Sequence, residues 1–113
     1  MEAGLQTAVF QWEEGYGRVQ ATRSDPQRHR ALARAVAAVQ DELRKRLGSR
    51  FTVGELVALY RDSGDSLTDV GMAAVPSDED LSDVSAASDA AFYLYMREAS
   101  DFAGGRPTPT ARR

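Results

Sequence analysis

Apolar residues recur along this chain at steps of three and four and form no useful run of alternation, so the sequence reads as helices. The clearest line is Leu32, Val36, Val39, Leu43 and Leu47, which predicts a helix over 26–47. Asp25 suits its N-cap, and Pro26 suits the first helical position, where a missing N–H is no loss. Arg44, Lys45 and Arg46 fall in its last turn, where cations favour the helix dipole. Gly48 then supplies the left-handed residue past the end. Ahead of this helix, Leu5, Ala8 or Val9, Trp12, Tyr16 and Val19 predict another over 3–22. Gly15 and Gly17 each weaken it by up to about 1 kcal/mol against Ala and point to a kink or an early end.

Phe51-Thr52-Val53-Gly54-Glu55-Leu56 is the most specific local signal. Thr52 as N-cap and Glu55 at N3 make a capping box, and Phe51 with Leu56 makes the hydrophobic staple. The helix they open is expected to end near Arg61. Asp62-Ser63-Gly64-Asp65 has the composition of a turn. Ser66 then caps a short helix over 67–75, with Leu67, Val70 and Ala74 inward and Pro76 as its stop. Ser77 opens the last helix, expected over 78–102, with Asp78, Glu79 and Asp80 in a first turn where acids are favoured. Leu81, Val84, Ala91, Tyr95 and Phe102 define one face. Residues 91–96 are apolar all round, so they are expected to be covered on more than one side. Gly104, Gly105, Pro107 and Pro109 end regular structure, and 104–113 read as a disordered tail.

The expected fold is therefore all-α, a single-domain bundle of four to five helices within residues 1–103. Two helices are long, about 26–47 and 78–102. A short helix-turn-helix-like pair, 53–61 and 67–75, packs across them, and residues 1–24 read as a loosely attached helix. Phe51-Thr52-Val53-Gly54-Glu55-Leu56-Val57-Ala58-Leu59-Tyr60 and Asp89-Ala90-Ala91-Phe92-Tyr93-Leu94-Tyr95 resemble stretches of a group of small all-helical actinobacterial proteins of unassigned function. That resemblance covers residues 25–103. It rests on capping and core patterns and implies no catalytic or binding residue.

Composition narrows the chemistry more than the fold. The chain has 113 residues, no cysteine and one histidine. Disulfides, thiol nucleophiles, Cys-ligated zinc and any site needing two histidines of one chain are excluded. Thirteen of the 14 basic residues are Arg, which fits coding from a GC-rich genome. The N-terminal residues show no signal-peptide pattern, and no stretch approaches the roughly 20 apolar residues of a membrane span, so the expected compartment is the cytoplasm and no membrane contact is expected. The net charge of −3 hides a split. Residues 18–50 carry nine Arg or Lys against three acids, and residues 51–103 carry two Arg against eleven acids. The two halves can complement each other inside the fold or across a dimer, or they can present charged docking faces.

Candidate chemistry is sparse. The 67–75 segment, Leu67-Thr68-Asp69-Val70-Gly71-Met72-Ala73-Ala74-Val75, has no Arg, Lys, Asn or Gln to reach base edges, and Asp65 and Asp69 repel phosphates. Asp78, Asp80, Ser82 and Asp89 loosely match calcium-loop positions, but Asp83 stands where the loop needs glycine. His29 has no nucleophile motif near it and reads as a surface histidine. No cofactor, metal or catalytic residue is implied. The leading expectation is a non-enzymatic protein–protein interaction module with a regulatory role. It would bind another protein, or a second copy of itself, through the acidic face of 62–89 or exposed aromatics. The residues concerned are Asp78, Glu79, Asp80, Asp83, Tyr93 and Trp12. The alternative is a nucleic-acid-associated, transcription-related regulator using Arg30, Arg34 and Lys45 of the basic helix to hold phosphates.

Overall fold

A computed structural model describes residues 3–76 and 79–102. Four helices follow in order: α1 (Ala3–Ala21), α2 (Pro26–Leu47), α3 (Val53–Ala73) and α4 (Leu81–Met96), with a single 3₁₀ turn at Thr22–Ser24 between the first two. No strand occurs among the described residues. The all-α bundle is thus the observed architecture. The tail 104–113, Ser77 and Asp78 lie outside the described residues.

α4 is the centre of the bundle and touches each of the other helices, with its broadest contact on α1. Val84, Ala87, Ala90, Ala91 and Phe92 have no exposed surface at all, and Tyr95 and Met96 are also buried. The apolar run 91–96 is covered on several sides, as its composition requires. α1 is an integral layer. Trp12 is fully buried, stacked on Phe92 at 5.3 Å between ring centroids and met edge-on by Tyr60 at 5.5 Å. Phe92 and Tyr60 also meet, at 4.9 Å, so three rings from α1, α3 and α4 form one cluster. Gly15 and Gly17 do not end or break α1. Gly15 lies where α1 crosses α4. A Cβ there would come within 2.5 Å of the Asp89 Cβ and 2.7 Å of the Ala86 carbonyl oxygen.

α2 follows its sequence signals closely. The Asp25 side chain accepts from the Arg28 N–H, Pro26 opens the helix, and Gly48 ends it with φ of 70°. Leu32, Val36, Val39 and Leu43 are buried. The capping box is also present. Thr52 Oγ1 accepts from the Glu55 N–H at 3.1 Å, and Glu55 Oε1 accepts from the Thr52 N–H at 2.9 Å.

Two expectations fail. The helix-turn-helix pair 53–61 and 67–75 is one continuous helix, α3. Its inward line, Val53, Leu56, Tyr60, Gly64, Leu67 and Gly71, keeps steps of three and four straight through the turn-like residues, and Leu67 is fully buried. Ser66 is not an N-cap. Its hydroxyl donates to the Ser63 carbonyl, and the Thr68 hydroxyl donates to that of Gly64, each at 3.1 Å. Hydroxyls that fold back on helix carbonyls this way leave the helix intact. The last helix is also shorter than expected at both ends. Asp80 is its N-cap, accepting from the Ser82 N–H at 2.8 Å and the Ser82 hydroxyl at 2.7 Å. Past Met96 the chain turns back to the start of α3. Ser100 donates from its N–H and its hydroxyl to the Phe51 carbonyl, and Asp101 accepts from the Val53 N–H at 2.8 Å. Phe51 stacks on Tyr95 at 4.4 Å, and the Tyr95 hydroxyl donates to the Gly48 carbonyl.

Continuity of α3 is testable at Gly64. A Cβ there would lie 3.7 Å from the Tyr60 ring, an ordinary contact. Gly64→Ala should therefore raise stability to urea by about 0.5–1 kcal/mol, the cost of glycine within a helix. A loss of stability would mean that a turn, not a helix, holds this position.

Candidate functional site

The residues singled out in the sequence scatter through the structure. Trp12 is unavailable to a partner, because three-ring packing has taken it into the core. Its indole Nε1 is the one buried side-chain nitrogen or oxygen among the described residues with no hydrogen-bond partner. Tyr93 is half-buried, with its ring 4.9 Å from that of Tyr16. Asp83 is also internal, at 7% exposure. Arg28 Nε donates to Asp83 Oδ2 at 3.1 Å, with a second bond from the same guanidinium, and Arg18 lies 3.6 Å from Oδ1. A carboxylate this buried needs such cations around it, and the pairing holds the Arg28 guanidinium firmly charged. Asp80 is occupied as the α4 cap, and its bonds from the Ser82 hydroxyl and N–H hold its carboxyl below the usual range. Glu79 is half-buried and edges an open cleft with Arg28, Arg30 and Arg34.

Arg30, Arg34 and Lys45 are exposed and form no ion pair with another described residue. His29 is half-buried rather than a free surface group. Its Nδ1 lies 3.0 Å from Thr22 Oγ1 and 3.3 Å from the Val19 carbonyl, at the joint between α1 and α2. No three acidic or histidine side chains among the described residues come together as metal ligands. None of the described helices is long and apolar enough to cross a membrane.

The residue that the sequence reading weighed only as a loose calcium-loop position is Asp89. It is the sole charged residue in the run from Val84 to Met96, and that isolation is the signal that could have found it. α4 carries one polar seam, Ser82, Ser85 and Asp89, at helical steps of three and four. The seam opens between α1 and α3. A cleft of about 630 Å³ there is lined by Gln11, Glu14 and Arg18 of α1, Tyr60 of α3 and the seam itself, with Leu81 at its edge. A neighbouring cleft of about 340 Å³, edged by Asp62 and Asp65, shares Tyr60, Ser85 and Asp89 with the first. Gly15 makes this geometry possible, since only a residue without Cβ lets α1 approach Asp89 so closely. Burial pushes the Asp89 carboxyl up to about 6, with the Tyr60 hydroxyl opposing that rise by bonding to it. The same hydroxyl donates to Gln11 Oε1 at 3.4 Å, and burial raises the Tyr60 phenol well above its ordinary value. A titratable group poised near neutrality in a cleft is a hallmark of functional sites.

No protein-family model, no curated protein and no solved structure matches this chain. The functional reading therefore rests on the surface and the cleft alone.

The Asp89 environment carries a stability signature. Its proton is held more tightly in the folded chain than in the unfolded one, where an aspartate carboxyl titrates near 3.8. Stability contributed by the neutral form is complete below that value and is lost as pH rises towards about 6. Asp89→Asn keeps a neutral side chain throughout. Its stability relative to the parent chain should be greater at pH 7 than at pH 4 by about 1–2 kcal/mol, allowing for solvent screening of a half-buried group. Urea unfolding at the two pH values measures this, and an unchanged difference would remove the assignment.

Proposed function

We propose that this protein is a non-enzymatic helical module with a regulatory role that binds another protein. The observation that carries the reading is the makeup of one side of the bundle. Among the described residues, Phe10 and Leu81 are the large apolar side chains left well exposed, at 58% and 62%. Leu81 lines the larger cleft with Glu14 and Asp89, Asp62 and Asp65 edge the neighbouring cleft, and Phe10 stands one turn before Glu14 on α1. Asp69 continues the outward acidic line of α3. Exposed apolar groups beside a mainly acidic surface, with Arg18 and Arg61 as its cations, suit a partner segment that is amphipathic and basic. The resemblance of residues 25–103 to small actinobacterial helical proteins adds no partner to this reading. A second copy of the chain is the simplest variant, since α2 offers Arg30 and Arg34.

A second reading has its own support. Arg30 and Arg34 stand one turn apart, about 6 Å along α2, exposed and without ion pairs among the described residues, with Lys45 further along. Such a row could track phosphates in a nucleic-acid-associated regulator.

Cross-linking in a lysate of the source organism separates the two. The parent chain should capture a discrete protein that the Phe10→Ser/Leu81→Ser and Asp62→Lys/Asp65→Lys variants lose. Capture of the same proteins by parent and variants alike would sink the interaction surface. Light scattering that shows a dimer dissociating with salt would identify the partner as a second copy. A mobility shift on duplex DNA or RNA at about 50 mM salt, lost in Arg30→Ala/Arg34→Ala/Lys45→Ala, would favour the second reading.

A further inference from the structure

We infer that the cleft between α1, α3 and α4 is a binding site for a primary alkylammonium group, with Asp89 as its counter-ion. The site shares Leu81 and Asp89 with the surface assigned above, but its test reads the binding of a small amine and not capture of a protein, so either can fail alone. Apart from the Arg18 guanidinium, its polar lining is rich in acceptors. Gln11, Ser82, Ser85 and Asp89 all offer acceptor oxygens to the larger cleft. Tyr60 adds an aromatic ring, whose electron-rich face attracts cations. Leu81 and Ala86 supply apolar surface for an attached alkyl chain.

Asp89 is half-buried and forms no ion pair with another described residue. The charged and titratable groups around it are Glu14 and Arg18 on α1 and Tyr60, Arg61, Asp62 and Asp65 on α3. Arg18 is drawn away to Asp83, at 3.6 Å. No cation figures among the causes that set the Asp89 carboxyl, where burial dominates and the Tyr60 hydroxyl alone opposes it. Asp83, by contrast, has two arginines. The two carboxylates lie on the same helix with opposite provision, and the difference leaves room at Asp89 for a cation from outside. An ammonium matches the lining better than a metal ion does. It has three donors for dispersed oxygens, whereas a metal needs several ligands converging on one point, and no such group occurs among the described residues.

The ammonium can belong to a small free amine or to a lysine side chain. Titration of the full chain with 1,4-diaminobutane and, separately, with N-acetyl-lysine amide distinguishes these, followed by amide NMR at pH 7.5 and constant ionic strength. Saturable shifts are expected at Gly15, Ser85, Ala86 and Asp89, with a dissociation constant of about 1 mM for at least one probe, as suits a ligand this small. Tighter binding of the diamine identifies a free amine, and tighter binding of the lysine amide identifies a protein side chain. Asp89→Asn should weaken binding at least tenfold while the chain stays folded, and Asp41→Asn, exposed on α2 outside the cleft, should leave it unchanged. Absence of saturation for both probes, or equal binding by the parent and Asp89→Asn, would overturn the site.

Discussion

The fold rests on the need to cover α4 on nearly every side. A helix that buries alanines on one flank and Val84, Phe92 and Tyr95 on others cannot sit at the edge of a bundle. It needs three neighbours. α1, α2 and α3 supply them, and the small side chains of Ala86, Ala87, Ala90 and Ala91 let those neighbours come close. The closest approach is at Gly15, where even one methyl group would collide with α4 backbone. What three helices cannot sheathe is the seam of Ser82, Ser85 and Asp89. The cleft is the gap left where coverage stops.

Charge is arranged around the same helix. The basic second helix and the acidic second half pair within the chain, through Arg28 with the buried Asp83 and through Arg44 with Glu98 at the surface. Other charges act at helix ends or along one helix. Asp25, Asp80 and Asp101 satisfy helix N-termini, and Arg46 pairs with Glu42 one turn away on α2. The remainder is segregated, with Arg30, Arg34 and Lys45 on α2 and Asp62, Asp65 and Asp69 on α3 all facing solvent. Net charge alone conceals this, because the internal pairs and the outward faces contribute to it equally.

Local signals were legible in the sequence and tertiary ones were not. Asp25, Gly48 and the Thr52–Glu55 box act within a few residues of themselves, and each does in the structure what its position implies. Asp62-Ser63-Gly64-Asp65 misleads because turn composition and an exposed helix face draw on the same polar residues. The unbroken spacing from Val53 through Gly64 to Gly71 was the better guide. Trp12 looks from sequence like either an anchor for a partner or a core residue, and only the positions of Tyr60 and Phe92 decide it. Asp89 is harder still. Its burial depends on a glycine 74 positions earlier, and no window along the chain holds both.

That separation in sequence bears on how the chain acquires its shape. Trp12 waits for Phe92, and Gly15 waits for Ala86 and Asp89, so α1 finds its main support in the last helix of the bundle. Most helical bundles close through neighbours and fold early for that reason. Here α2 and α3 can pair soon after they are synthesised, but α1 must keep an apolar face in reserve until α4 exists. During translation that face stays uncovered, and transiently exposed apolar surface of this kind is what chaperones protect.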